Sequence, residues 1–293
     1  MTPVFGFLFP GQGSQSVGMG KLLFESRPTI QALYKKATDI LGYDVGALCF
    51  EGPSEQLNRT EYTQPALLVT SLAAFELVKD GPLIPVAVAG HSLGEYIALV
   101  AAGALGFEEA ARLVTSNAGC VYSVRLSCCQ EAGTVGIVAP ANFNSPGQTV
   151  IAGEKAAVER AADLAKVRGA KRVKTLPVSV PVHTPLMQVA ADRLKKDIDS
   201  LQWSDLKVPL VNNVDAKALY SAEDVRGSLV RQLPSPVLWQ ETIQAMSQMG
   251  ITHFVEIGPG KVLTGLVKRI VPEAITWNVM DQESYATVLA HCS

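Results

Sequence analysis

The sequence predicts an α/β fold, a parallel sheet with helices on both faces, carrying a small α+β subdomain inserted in its middle. Three observations lead there. Short apolar or β-branched runs at Val4–Phe9, Val86–Ala89, Val208–Asn212 and Thr252–Ile257 alternate with longer helical patterns, and such alternation builds parallel sheets covered on both sides. From Gly133 the pattern changes to short strand-like runs, Thr134–Val138, Gln148–Ala152 and Arg172–Val180, around one helix, Lys155–Val167, which reads as a separate α+β unit. Finally, 293 residues with 48% hydrophobic and 18% charged content can bury a full core and still carry an insertion. The expected division is 1–117 with 188–293 for the large domain, and 118–187 for the small one.

Each element has its own warrant. Val4–Phe9 reads as a buried strand, and Pro10-Gly11-Gln12-Gly13-Ser14-Gln15 after it as a loop whose glycines allow close backbone approach. Its spacing fits neither a dinucleotide fingerprint nor a phosphate-binding lysine loop. Ile30, Leu33, Ala37 and Leu41 make one face of a helix over Pro28–Leu41. Thr63-Gln64-Pro65 is read as the start of the next helix, with Pro65 in the first turn and Gln64 either a cap, the favoured reading, or a polar group aimed into a cleft. Ala66–Val78 is apolar nearly all round and should be buried. A helix over Phe107–Val114 closes the first half. Asn142-Phe143-Asn144-Ser145-Pro146-Gly147 is rich in turn formers and is read as a loop. A helix over Pro185–Leu201 and helical spacing from Leu229 to Met249 complete the expectation.

Composition narrows the function classes. A net charge of −2 gives no whole-chain reason to expect nucleic acid or an anionic membrane. The first ten residues lack a basic segment before their apolar core, and Ile97–Phe107 is too short to span a bilayer. A cytoplasmic, monomeric protein is expected. Five cysteines with no Cys-x-x-Cys pair suit reduced thiols better than a disulfide framework or zinc site, so neither a metal nor a bound cofactor is expected.

The chemistry is organised around Gly90-His91-Ser92-Leu93-Gly94-Glu95. A β-branched run leads into Gly-x-Ser-x-Gly and an Ala-rich helix follows, which is the strand, sharp turn and helix of a serine nucleophile. Unpaired N–H groups at the helix start could stabilise negative charge developing on a bound carbonyl. Ser92-x-x-Glu95 also matches a helix capping box, so on this stretch alone both readings stand. A nucleophilic serine needs a base, and there are four histidines. His91 neighbours Ser92 on a tight turn and points away from it; it suits a substrate contact better. His253 opens a strand and His291 is near the terminus. His183 lies in the proline-rich exit from the small subdomain, where a cleft would fall. By elimination it is the base.

Taken together, Phe9-Pro10-Gly11-Gln12-Gly13-Ser14-Gln15, Tyr62-Thr63-Gln64-Pro65-Ala66, Gly90 to Tyr96, Asn142 to Gln148, Val180-Pro181-Val182-His183 and Glu256-Ile257-Gly258-Pro259-Gly260-Lys261 resemble the malonyl-CoA:acyl-carrier-protein transacylases of type II fatty acid synthesis and the related acyltransferase domains of polyketide synthases. The match runs nearly end to end. It implies a hydrolase-like large domain with a small ferredoxin-like insertion, and ping-pong acyl transfer through an acyl-serine. Malonyl-CoA is the implied substrate and an acidic acyl carrier protein the implied transient partner. Ser92 and His183 are the implied catalytic pair, with the Gln12 and Leu93 N–H groups as oxyanion hole and the Gln232 carbonyl in place of a triad Asp. Gln64, His91, Asn142 and Val182 fall at substrate-binding positions, Val182 being large enough to disfavour α-branched acyl groups. The basic run Lys166 to Lys174 is a candidate carrier-protein face.

One departure matters. The family places an arginine roughly 25 residues after the serine to pair with the malonyl carboxylate. Arg112-Leu113-Val114 keeps the lead-in, but Asn117 stands where that arginine should be, and Thr115 to Gln130 matches nothing in the family. The small domain then resumes early, so it is expected to be shortened. Either the carboxylate clamp is lost, with Arg125 as substitute, or the stretch is translated out of frame. A permitted back-translation of Ala118 to Gln130, read one base over, resembles Arg-Gly-Ala-Phe-x-Gln and favours the second; resequencing these codons decides. The rival functions are an acyl-thioester hydrolase, a stand-alone polyketide acyltransferase and a catalytically impaired scaffold.

Overall fold

A computed structural model describes residues 2–115, 136–176 and 180–292. In chain order its strands are β1 (Phe5–Phe9), β2 (Pro85–Gly90), β3 (Val138–Ser145), β4 (Gln148–Gly153), β5 (Leu210–Val211), β6 (Ala218–Leu219), β7 (His253–Ile257) and β8 (Ile275–Val279). Its helices are α1 (Lys21–Ser26), α2 (Pro28–Leu41), α3 (Val45–Glu51), α4 (Ser54–Leu57), α5 (Thr60–Val78), α6 (Gly94–Ala101), α7 (107–115), α8 (Lys155–Val167), α9 (Gln188–Ser200), α10 (Ala222–Gln232), α11 (Trp239–Gln248), α12 (Val262–Ile270) and α13 (Gln282–Cys292).

Six strands form one sheet in the order β6-β5-β2-β1-β7-β8, parallel except for the short antiparallel edge β6. The central strand explains why it is apolar throughout. Phe5, Phe7 and Phe9 enter the core shared with α2, α5 and α6, while Leu8 enters a second core with Trp239, Ile243 and Leu266 from α11 and α12. Side chains alternate along a strand, so a strand covered on both faces must be apolar at every position. Helix α5 shows the same logic. Its N-cap, Arg59, supplies no capping side chain, yet most of its length is buried. Burial at about 1.5–3 kcal/mol per large apolar side chain outweighs a missing cap of about 1 kcal/mol.

Several local expectations are corrected. Helix α5 starts at Thr60, one turn earlier than Thr63, so Pro65 is inside it and Gln64 is a buried interior residue and not a cap. Pro65 there only forgoes a hydrogen bond to the Glu61 carbonyl, a loss the all-round packing absorbs. Asn142 to Ser145 are strand and not loop: β3 pairs with β4 as far as Ser145 opposite Gln148, leaving Pro146-Gly147 as the turn. The Phe143 N–H donates to the Val237 carbonyl and the Val237 N–H to the Ala141 carbonyl, so the turn-forming side chains yield to backbone pairing on both sides. Residues 172–176 form no strand; β3 and β4 pair with each other, and alternation without a partner ladder does not make one. The helical spacing from Leu229 to Met249 is broken between Gln232 and Trp239. Pro234 and Pro236 each lack a backbone N–H, so the helical hydrogen-bond ladder cannot run on through them.

A small antiparallel sheet, the β3–β4 hairpin, has α8 beside it, and β3 packs on α11 and α12. Among the described residues no helix is long and apolar enough to cross a membrane, and Cys49 and Cys292 are free thiols. His253 stacks edge-on against Phe5 and His291 lies beside Trp277, both away from the serine turn.

Candidate active site

The carboxyl ends of the parallel strands converge on one edge of the sheet, where open α/β folds place their clefts. β1 ends into Pro10–Gly13, β2 into His91 and Ser92, and β5 into Asn212 and Asn213. The end of β1 and the turn from β2 into α6 are packed so closely that side chains are excluded between them. A Cβ on Gly90 would collide with the Gly94 carbonyl, one on Gly94 with the Phe9 carbonyl, and one on Gly11 with the His91 carbonyl. This explains the glycines on either side of the serine in steric terms. It also brings the Gln12 loop beside the turn.

Ser92 sits at φ 54°, in the left-handed region, between β2 and α6. Its Oγ is 2.6 Å from His183 Nε2. It is not a capping serine: the N-cap of α6 is Leu93, without a side-chain bond, and Glu95 turns away to accept the Asn213 N–H at 2.8 Å. His183 is also left-handed, at φ 63°, and buried. Its N–H donates to the Leu233 carbonyl at 3.0 Å, and its Nδ1 is 3.1 Å from the Gln232 carbonyl. A carbonyl only accepts, so Nδ1 carries the proton and Nε2 is left bare to accept from the Ser92 hydroxyl. Burial holds the imidazole down to about 4 against the pull of the Gln232 carbonyl, so it is neutral at physiological pH. The break between α10 and α11 is therefore useful: it frees the last carbonyls of α10, and one of them meets the histidine.

The remaining expected residues divide. The Leu93 and Gln12 N–H groups have no hydrogen-bond partner among the described residues, while the Gln12 side chain donates to Thr60 Oγ1 at 3.2 Å. Gln64, one turn beyond Thr60, has its Oε1 buried without a partner among the described residues. His91 Nε2 is 2.8 Å from Asn144 Oδ1, its ring packs against Trp239, and burial lowers its pKa. Asn142 bridges to Val237 instead, so Asn144 is the residue of that motif that reaches the serine turn. Val182 is half-buried directly before His183. Asn117 and Arg125 lie outside the described residues.

Sequence reasoning missed Asn213 and the destination of Glu95. Asn213 Oδ1 accepts the Ser92 N–H and its Nδ2 donates to the Gly90 carbonyl, both at 2.7 Å. The available signal was two consecutive asparagines directly after a short apolar run, polar groups at the carboxyl end of a strand.

The sequence model of the acyl transferase domain matches residues 6–289. That makes the class an acyltransferase. The malonyl CoA-acyl carrier protein transacylase of Escherichia coli K12 is 44% identical over 96% of each chain, and that of Haemophilus influenzae 45% identical over 97% of each. The malonyl-CoA:acyl carrier protein transacylase structure from Xanthomonas oryzae superposes with a TM-score of 0.92 at 42% identity, covering 99% of both chains. A malonyl-transacylase solved in complex with its type II polyketide acyl-carrier protein superposes equally well, at 44% identity over 98% of this chain and 99% of that one. The chain belongs to the malonyl CoA-acyl carrier protein transacylase family.

Proposed function

We propose that the protein moves a malonyl group from CoA to the phosphopantetheine thiol of an acyl carrier protein through a covalent malonyl-serine. The observation that supports it best is the Ser92 Oγ at 2.6 Å from a neutral His183 whose other nitrogen is held by the Gln232 carbonyl. In the first half-reaction Ser92 Oγ adds to the thioester carbonyl as His183 Nε2 takes its proton. The Gln12 and Leu93 N–H groups carry the oxyanion. The carbon–sulfur bond breaks and CoA leaves with the proton. In the second, the carrier thiol gives its proton to His183, attacks the malonyl-serine, and the serine oxygen leaves protonated. Gln64, His91 and Val182 are read as walls of the acyl site, and Asn142 as lying behind it.

On this reading the protein works as a cytoplasmic monomer on a transient, acidic partner, and the hairpin with α8 belongs to an inserted subdomain over 118–187. If resequencing shows that Asn117 truly stands at the position of the family's arginine, the malonyl carboxylate lacks its bidentate partner, and preference for malonyl over acetyl should fall. The test mixes radiolabelled malonyl-CoA with protein alone and then adds carrier protein. Label should stay on Ser92 until the carrier is present and then move to it. Release of free malonate without carrier would make the protein a thioester hydrolase, and no labelling at all would make it a scaffold. Running acetyl-CoA in parallel measures the selectivity.

A further inference from the structure

The sharp turn that carries Ser92 is held from outside by a side chain that touches neither the serine hydroxyl nor His183. Asn213 is fully buried, just beyond the carboxyl end of β5. Its amide spans the turn: Oδ1 takes the Ser92 N–H and Nδ2 gives to the Gly90 carbonyl, each at 2.7 Å. Those two groups flank His91, so one planar amide fixes their separation across the turn.

Asn213 is itself fixed at both ends of its backbone. Its N–H donates to Glu95 Oε2 at 2.8 Å and its carbonyl accepts from the Leu238 N–H at 2.8 Å. Glu95 is completely buried on the first turn of α6, the helix that the serine turn launches. Leu238 ends the segment that begins with the Gln232 carbonyl on His183. The next residue back, Asn212, bonds Ser228 Oγ at 2.7 Å and pairs with Lys217, and Asp215 is held by the two terminal guanidinium nitrogens of Arg231. Asn213 therefore has no freedom to follow Ser92 should the turn relax.

We propose that Asn213, braced by Glu95, is a positioning residue that keeps Ser92 in its left-handed backbone conformation and so sets the line from Oγ to His183 Nε2. A non-glycine residue at positive φ is disfavoured because its Cβ crowds the following carbonyl oxygen, and two short buried hydrogen bonds oppose that cost here. The bond to Asn213 also consumes the Ser92 N–H, leaving the Leu93 N–H as the unpaired donor of the turn. This deepens the proposed acyl-transfer reading and rests on it.

The test compares wild type with Asn213→Ala and Asn213→Asp, every rate divided by the concentration of sites titrated with a fluorophosphonate, so that loss of folded protein does not count. Two rates are read, fluorophosphonate labelling of Ser92 and single-turnover acylation by malonyl-CoA. Asn213→Ala should lower both limiting rates by ten- to a hundred-fold, with the malonyl-CoA concentration giving half the limiting rate changed less than twofold. Asn213→Asp keeps an acceptor for the Ser92 N–H but, ionised, offers no donor to Gly90, and should lose at least fivefold. If Asn213→Ala yields no folded protein, Asn213→Asp carries the test alone. Rates per site within twofold of wild type, or a loss confined to half-saturation, overturn the proposal. If wild type labels with fluorophosphonate but takes no malonyl group, the functional reading fails while the labelling rates still test Asn213.

Discussion

Burial shifts His183 and Glu95, both close to Ser92, in opposite directions from their ordinary pKa values. Burial holds His183 down to about 4 and pushes the Glu95 carboxyl up to about 7, against the Asn213 N–H that favours its ionised form. A base with a lowered pKa is unprotonated, and so competent, at every pH above that value. The single-turnover acylation rate should therefore rise as pH climbs through about 4 and be flat by pH 6, measured over pH 4–8. An acid limb centred near the ordinary histidine value of about 6.5 would contradict the buried, neutral imidazole. At this scale the sequence was readable where chemistry demands a residue type. Ser92 follows from its glycines and His183 from elimination among four histidines. Gln232 came from family resemblance alone, because what meets His183 is its backbone carbonyl, which every residue type carries. Asn213 went unseen for a different reason: its partners are backbone atoms more than a hundred positions away.

Among elements, the serine turn is where the end of β1 meets the chain running from β2 into α6, and its glycines are steric requirements before they are catalytic ones. Gly90→Ala sets a methyl group against the Gly94 carbonyl, and neither backbone can withdraw without moving β2 or α6. The expected loss is about 3 kcal/mol or more of unfolding free energy, at the upper end for single substitutions. It is read as a lower urea midpoint at unchanged slope, and a change under about 1 kcal/mol would show that the turn is looser than described. Elements were legible where one periodicity acted alone: α2 and α8 match their expected limits of Pro28–Leu41 and Lys155–Val167. They were misread where two signals competed. Helical spacing ran across Pro234 and Pro236, and the prolines won; turn-forming asparagines in β3 were overruled by backbone pairing to β4 and to Val237.

For the molecule as a whole, charge is the property that a large acidic partner would sense first. The chain is nearly neutral, at −2, so a docking surface must be a local feature. Lys166, Arg168, Lys171, Arg172 and Lys174 lie together at and beyond the end of α8, all exposed. If the carrier protein docks there, Lys171→Glu with Arg172→Glu should slow the second half-reaction about tenfold or more at low salt. Malonyl-serine formation should be unchanged, and the defect should shrink as salt screens both proteins. Equal loss of both half-reactions would move docking elsewhere. The fold at this scale was the most legible feature of all, since alternating strands and helices leave few ways to cover both faces of a parallel sheet.

The two proposed reacting residues, Ser92 and His183, are two of the three described non-glycine residues with positive φ, the other being Ala216. Glycine adopts that conformation without steric penalty. A Ser92→Gly copy should thus be inactive yet as stable as the parent, or more so. In any population screened for folding alone, such dead copies would spread at no disadvantage. The serine can persist only where its product is wanted.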